Sequence, residues 1–391
     1  MFTVQYERAG LMSSVDPYKI PLSLYVHMPW CVSKCPYCDF NSYAIKSNFP
    51  AELYIEKLLV DFDNDFLYTQ KRPINSIFFG GGTPSLFPAK EIGYLLAQIN
   101  KKISFSPNIE ITLEANPKTL SLQKLQDLYA CGINRLSLGV QSFSDKSLQL
   151  IGRTHDFCDI KNSITLIKKA KFTNFNLDIM YGLPEQNVES ALADLQSAIN
   201  FAPTHISWYQ LTVENETKFF LQKPKLPEHD VLFAMQEAGI SLLYTHGFSR
   251  YEISAYCRQK NFCQHNLNYW QFADYIGIGA GAHSKISLLD KIIRYSKFSL
   301  PEKYLTCEKE FIATQEVLTN DQLVLEFMLN ALRLVNGFDV KIFSERTGIN
   351  LADIMNKINQ AQHDGFLVIN NNKIIPTDKG INFLNDCLEI W

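Results

Sequence analysis

Short apolar runs, each closed by a Gly, Pro, Asn or polar turn, recur at Leu22–His27, Ser76–Phe79, Glu110–Glu114, Arg135–Val140, Phe175–Ile179 and His205–Leu211. Between them, Glu52–Thr69, Leu122–Tyr129, Asp159–Lys171 and Val188–Phe201 place apolar residues three or four apart, the spacing of one buried helix face. Strands alternating with helices predict a parallel sheet, because a parallel neighbour needs a crossover and a helix supplies it. The six units fall within about 200 residues, too few to close an eight-fold barrel. The expected fold class is α/β, an open (β/α)6 partial TIM-like barrel, with a doubly wound sheet as the alternative. In either fold, ligands gather at the carboxyl ends of the strands.

The pattern changes after residue 285. A basic link, Lys291-Ile-Ile-Arg294-Tyr-Ser-Lys297, leads to helical spacing over Asp321–Leu334, then Asn336-Gly337 and two more amphipathic stretches. The run from Gly365 to Gly380 predicts a β-hairpin turning at Asn370–Asn372. Helices followed by a hairpin suggest a small winged-helix-like C-terminal domain. Such modules often bind DNA, but this one carries no basic stripe, so packing, substrate closure or oligomerisation is its expected role. The expected domains are a poorly structured polar lead over 1–21, the partial barrel over 22–285 and the helical domain over 286–391.

Composition removes several classes of function. With 391 residues, 46% of them apolar, the chain has ample core for these two domains. Against 40 acidic residues stand 37 basic ones, a net charge of -3 that recruits neither nucleic acid nor an anionic membrane. Nine cysteines are an odd count, and Cys131, Cys158, Cys257, Cys263, Cys307 and Cys387 are mostly scattered, which points to a reducing cytosol. No basic, then apolar, signal pattern opens the chain, and no window approaches a membrane span, so the expected location is cytoplasmic, with peripheral membrane contact left open.

Chemistry concentrates after the first strand, where Cys31, Cys35 and Cys38 follow a C-x3-C-x2-C spacing. Three thiolates in a tight loop can converge on one soft-metal centre, as iron–sulfur clusters require. A closed zinc site wants a fourth ligand, and no fourth cysteine follows. His27 is the nearby candidate, although it lies within the strand-like run. On a four-iron cube, three cysteines leave one iron open to a small molecule.

Other strands end on unusual residues too. The second runs into Gly80-Gly81-Gly82-Thr83-Pro84, which either brings backbone N–H groups close to a ligand or makes a tight turn. The third ends at Glu114-Ala-Asn116, the fourth at Gly139-Val140-Gln141, and the fifth carries Asn176-Leu-Asp178. Acids and amides at successive strand ends suit ribose hydroxyls and a positive sulfonium. Arg153 either forks onto a carboxylate or forms a surface salt bridge.

The C-x3-C-x2-C motif, with Tyr37 before its last cysteine, resembles the signature of the radical S-adenosylmethionine (SAM) superfamily. That resemblance implies the partial barrel, a [4Fe–4S] cluster on Cys31, Cys35 and Cys38, and SAM chelated by the open iron and cleaved to a deoxyadenosyl radical. Tyr25-x-His27-x-Pro29, Phe79–Pro84, Glu114–Pro117, Leu138–Phe143, Arg153-x-His155 and Leu177–Pro184 look like the oxygen-independent coproporphyrinogen III oxidase group. On those matches, the resemblance implies SAM binding by Tyr25, Gly81, Gly82, Thr83, Glu114, Gln141, Arg153 and Asp178.

Two departures turn the resemblance away from the oxidase. Phe40 stands where the oxidase has a further cysteine, and only 24 residues precede Tyr25, fewer than in the oxidase. Both are similar to the sister family, the HemW-type heme chaperones. His265-Asn-x-x-Tyr269-Trp270 looks like that family's heme-associated motif, with His265 as the implied heme ligand and Cys263 as a rival. His283 sits in a Gly-rich loop that is equally ordinary turn chemistry. The expected function is heme chaperone, with heme as cargo and an apo-heme protein of the respiratory chain, membrane-associated or not, as recipient. No nucleic acid is expected, and a homodimer is compatible with the pattern. The alternative is a radical SAM enzyme, an oxidase or a methyltransferase; a degenerate scaffold is disfavoured by the intact cysteines.

Overall fold

The computed structural model describes residues 15–45 and 49–391. Its centre is a sheet built on the six strands that the apolar runs predict: β1 Leu22–Met28, β2 Ile74–Gly81, β3 Phe105–Ala115, β4 Arg135–Gln141, β5 Phe175–Tyr181 and β6 His205–Gln210. They lie side by side in chain order, all parallel. The crossover helices Ala51–Asp65, Leu122–Ala130, Phe157–Lys169 and Val188–Asn200 match the predicted spans within a few residues. Ala89–Lys102, which the sequence reading had not singled out, connects β2 to β3.

Further strands widen the sheet to twelve. The edge beyond β6 carries β7 Ser249–Glu252 and β8 Ala255–Cys257, with β8 pairing antiparallel to both β6 and β7. On the other side, β9 Asp274–Ile278 pairs parallel to β1, and β10 His283–Ser287, β11 Ile292–Lys297 and β12 Ile312–Val317 extend it antiparallel. The order is linear from β12 to β7, so the sheet is open, as expected of a partial barrel.

The predicted basic link is strand β11. Its charges are consumed by distant acids: Arg294 pairs with Glu326, and Lys297 lies between Asp61 and Asp65. The domain boundary expected after residue 285 falls inside β10, and the sheet runs on to Val317. The C-terminal unit then packs helices Asn320–Ala331, Val340–Thr347 and Met355–His363 with the hairpin of Leu367–Asn370 and Lys373–Pro376. The hairpin turn is the predicted one.

The polar lead was expected to be poorly structured over 1–21; residues 1–14 of it lie outside the described residues. The remainder is packed. Val15 and Ile20 are buried in the C-terminal unit's core, and the buried Arg72 guanidinium donates to the carbonyls of Pro17 and Ile20 while pairing with Asp274 at 2.8 Å. Among the described residues no helix is long and apolar enough to cross a membrane.

Candidate functional site

A cavity of about 720 Å³ opens at the carboxyl ends of β1 to β6. Cys31, Cys35 and Cys38 line it together with Gly81, Gly82, Thr83, Glu114, Gln141, Arg153 and Asp178. The cysteine loop is pinned at its base, where the Tyr43 N–H donates to the Pro29 carbonyl and Ile45 N–H to that of Cys31. Burial raises the thiol pKa values of Cys31 and Cys38, while the Ser42 hydroxyl works against it. Arg153 Nη1 lies 3.6 Å from Cys35 Sγ and places a cation where a thiolate would form. Among the described residues no group of three His, Cys, Asp or Glu side chains is set to hold one metal ion. A four-iron cube asks for a different arrangement, one thiolate on each of three irons, and the soft all-sulfur donor set fits it.

Of the two readings of the glycine run, amides near a ligand or a tight turn, the amides of Gly81, Gly82 and Thr83 follow the second. Gly81 N–H donates to Glu114 Oε2 at 3.2 Å, and the N–H groups of Gly82 and Thr83 donate to the carbonyls of Met28 and Trp30, each at 2.7 Å. A Cβ on Gly82 would stand 2.5 Å from the Trp30 carbonyl oxygen. Glycine is needed because two pieces of backbone touch, and the turn thereby fixes the cysteine loop above it.

Arg153 is not a surface salt bridge. Its Nη2 donates to the Gly139 carbonyl at 2.8 Å, its buried Nε has no partner among the described residues, and it faces the cavity. Gln141 ends β4 with a left-handed backbone, φ 71°, and its Oε1 accepts from Tyr209 Oη at 2.9 Å. Such strain persists where the surroundings impose it, often at ligand sites. The contribution of Tyr209 was missed, because Ser-Trp-Tyr in β6 reads as ordinary core.

Glu114 and Asp178 form the acidic wall. Asp178 accepts from Ser137 Oγ and Asn176 Nδ2, yet burial still raises its pKa. Burial, then the charge of Asp178, pushes Glu114 up to about 8. Glu114 is consequently mostly protonated at pH 7 until a cation arrives. A carboxyl whose folded pKa exceeds its unfolded value stabilises the fold most in acid and loses that contribution as pH rises, here between about 4.5 and 8. Glu114→Gln should therefore raise the thermal stability of the ligand-free protein at pH 8, by on the order of 1–2 kcal/mol after allowance for its partial exposure to the cavity, and not at pH 4. Equal melting shifts at both pH values would contradict this placement of the charge.

Tyr25 and His265 lie one layer lower. They line a separate pocket of about 220 Å³ with Phe78, Arg135, Asn176 and Tyr269; Glu114 and Asp178 face both spaces. The helix Gln264–Trp270 packs on β1, β2 and β9 and brings His265 inside. Both of its ring nitrogens are bonded, Nδ1 to Ser76 Oγ and Nε2 to Tyr269 Oη, each at 3.0 Å, and burial lowers its pKa to about 3. Cys263 is 1% exposed, bonded to Glu110 and pushed by burial up to about 12, which keeps it a thiol. Neither side chain offers a free donor atom to heme iron in this arrangement. Phe40, by contrast, is 57% exposed and lines the mouth of the large cavity.

Residues 25–198 match the radical SAM superfamily, and residues 318–383 match the HemN C-terminal domain. The heme chaperone HemW of Haemophilus influenzae is 44% identical over 95% of this chain and 98% of its own length. The heme chaperone HemW of Escherichia coli is 41% identical over 95% and 98%. The coproporphyrinogen III oxidase HemN of Escherichia coli, described as a radical SAM enzyme, shares the fold with a TM-score of 0.81 at 22% identity, over 95% of this chain and 90% of that one. With a superfamily motif at the carboxyl ends of an open sheet, and relatives this similar along their whole length, the chain belongs to the HemW heme chaperone family of the radical SAM superfamily.

Proposed function

We propose that this chain carries a [4Fe–4S] cluster on Cys31, Cys35 and Cys38, binds SAM beside it, and delivers heme to apo-heme proteins such as those of the respiratory chain. The observation that carries the cofactor part is the shared cavity: all three cysteines, Glu114, Gln141, Arg153 and Asp178 face one space. When bound, the cluster supplies an iron with an open position and a source of one electron. The protein's own groups do the positioning. Arg153 stands ready for the methionyl carboxylate beside Cys35, the acidic wall takes the amino group and the sulfonium, and Tyr209 holds Gln141 in place. The heme part rests on the relatives, which are named heme chaperones.

A radical enzyme would use the same cavity, so the two functions are separated by assay. Protein loaded with hemin should give it up to an apo-heme protein, seen as growth of the recipient's own heme spectrum. With reductant, SAM and coproporphyrinogen III, no protoporphyrinogen should form, because Phe40 stands where the oxidase has a further cysteine. Clear turnover would replace the chaperone function with the oxidase.

A further inference from the structure

Buried polar groups in folded proteins are almost always hydrogen-bonded, and a large buried group without partners calls for an explanation. Arg135 opens β4 with its side chain only 2% exposed. Its guanidinium makes no hydrogen bond among the described residues, the buried Nε included, and its ion pair with Glu110 Oε2 spans 3.9 Å, too long for a hydrogen bond. A rigid fork of five donors is thus left open. It faces the pocket of about 220 Å³ below the cluster cavity, which Asn266 also lines with a side-chain amide that bonds to no described residue. The acids of that pocket are otherwise engaged. Glu110 Oε1 accepts from Cys263 Sγ and the His265 N–H, Asp178 accepts from Ser137 and Asn176, and Glu114 is mostly protonated at pH 7. Burial keeps the His265 ring and the Tyr25 and Tyr269 phenols uncharged.

We propose that this pocket binds a short-chain monocarboxylate, with Arg135 forking onto the carboxylate, Asn266 donating beside it and the alkyl part lying against Phe78. A guanidinium matches a planar carboxylate with two parallel N–H donors, which a compact ammonium cannot do. The volume suits a molecule the size of propionate and is too small for a nucleotide or a porphyrin ring. Glu110 and Asp178 close to the fork disfavour a dianion such as phosphate, because like charges in a buried space repel. The carboxylate has two sources: a free molecule, or the propionate arm of a heme held over the cavity above. Glu114, Ser137, Asp178 and Ser207 line both spaces, so an arm can pass between them. Only the second source rests on the heme-carrying function above.

The test is titration of the full-length protein with sodium propionate at constant ionic strength, read by calorimetry and by melting temperature, with sodium chloride and inorganic phosphate as controls. Propionate should bind and raise the melting temperature where chloride and phosphate do not. Arg135→Lys keeps the charge but loses the fork and should bind propionate about tenfold more weakly. Asn266→Leu, at a half-buried helix position, leaves Arg135 in place and should also weaken binding, so the site remains testable if the Arg135 variant does not fold. Hemin titration of the same proteins separates the sources: parallel weakening in the variants assigns the site to the propionate arm, and unchanged hemin binding assigns it to a free carboxylate. Failure of the wild type to bind hemin would overturn the heme function and leave the pocket to be judged on propionate alone. No propionate effect beyond that of chloride, equal affinity in wild type and both variants, or phosphate binding as tightly as propionate would overturn the site and leave water in the pocket.

Discussion

Cys35→Ala should leave the anaerobically reconstituted protein without the broad visible iron–sulfur absorbance, the acid-labile sulfide and the SAM affinity that the proposed cluster would give the wild type. A cube held by three thiolates that loses one is left with two, and no other cysteine among the described residues lines the cavity to replace it. Cys35 is half-buried, and its Sγ has Arg153 Nη1 and the Gly152 carbonyl as neighbours, so the substitution removes no core packing and the ligand-free fold should survive. Cys158→Ala, at an exposed position, is the matched control and should reconstitute fully. Retention of iron and sulfide at wild-type levels by the Cys35 variant would sink the cluster assignment.

Lys297→Met should cost about 3–5 kcal/mol of folding stability, the usual penalty for breaking a buried ion pair from one side. Lys297 Nζ lies 2.6 Å from Asp61 Oδ1 and 2.8 Å from Asp65 Oδ2, with all three side chains at most 2% exposed. The attraction is one of charge more than of well-angled hydrogen bonds, since Nζ meets no acceptor in hydrogen-bond geometry. Asp61 Oδ2 in turn accepts from Gly279 N–H and Tyr304 Oη, which ties helix Ala51–Asp65 to the end of β9 and to the segment around Tyr304. Burial already raises Asp65 to about 6 despite the lysine. Without that cation both carboxyls rise further, and a raised acid costs least where it is protonated. The penalty should therefore be smaller at pH 5 than at pH 8 in urea unfolding; a loss below about 1 kcal/mol at pH 8 would contradict the pairing.

Much of the fold was legible because period and turn chemistry are local properties. The six apolar runs became β1 to β6 within a few residues, and the turn at Asn370–Asn372 formed where Asn-rich chemistry predicted it. The strands beyond them were illegible for a physical reason. Asp274–Ile278 reads as part of a Gly-rich loop, and it becomes β9 only because β1 offers it an edge some 250 residues earlier in the chain, a pairing no local pattern records and whose closure cost grows only slowly with separation. Lys291–Lys297 reads as a basic link, and Ile292–Lys297 of it forms a strand because Glu326 pairs with Arg294 and Asp61 and Asp65 pair with Lys297.

The sequence by itself determined the chemistry available: three thiols at cluster spacing, and acids, an amide and an arginine at successive strand ends, since those depend on residue type and short-range order. The tertiary structure decided which of these groups are free to act. Ser76 and His265 are 189 residues apart and meet at 3.0 Å, and Tyr269 takes the other ring nitrogen, so the packing fixes the ring of His265. His283, in a segment that read as turn chemistry, is left open. A buried polar group must find a partner, and which partner it finds is settled by the packing of distant segments, which no local spacing records.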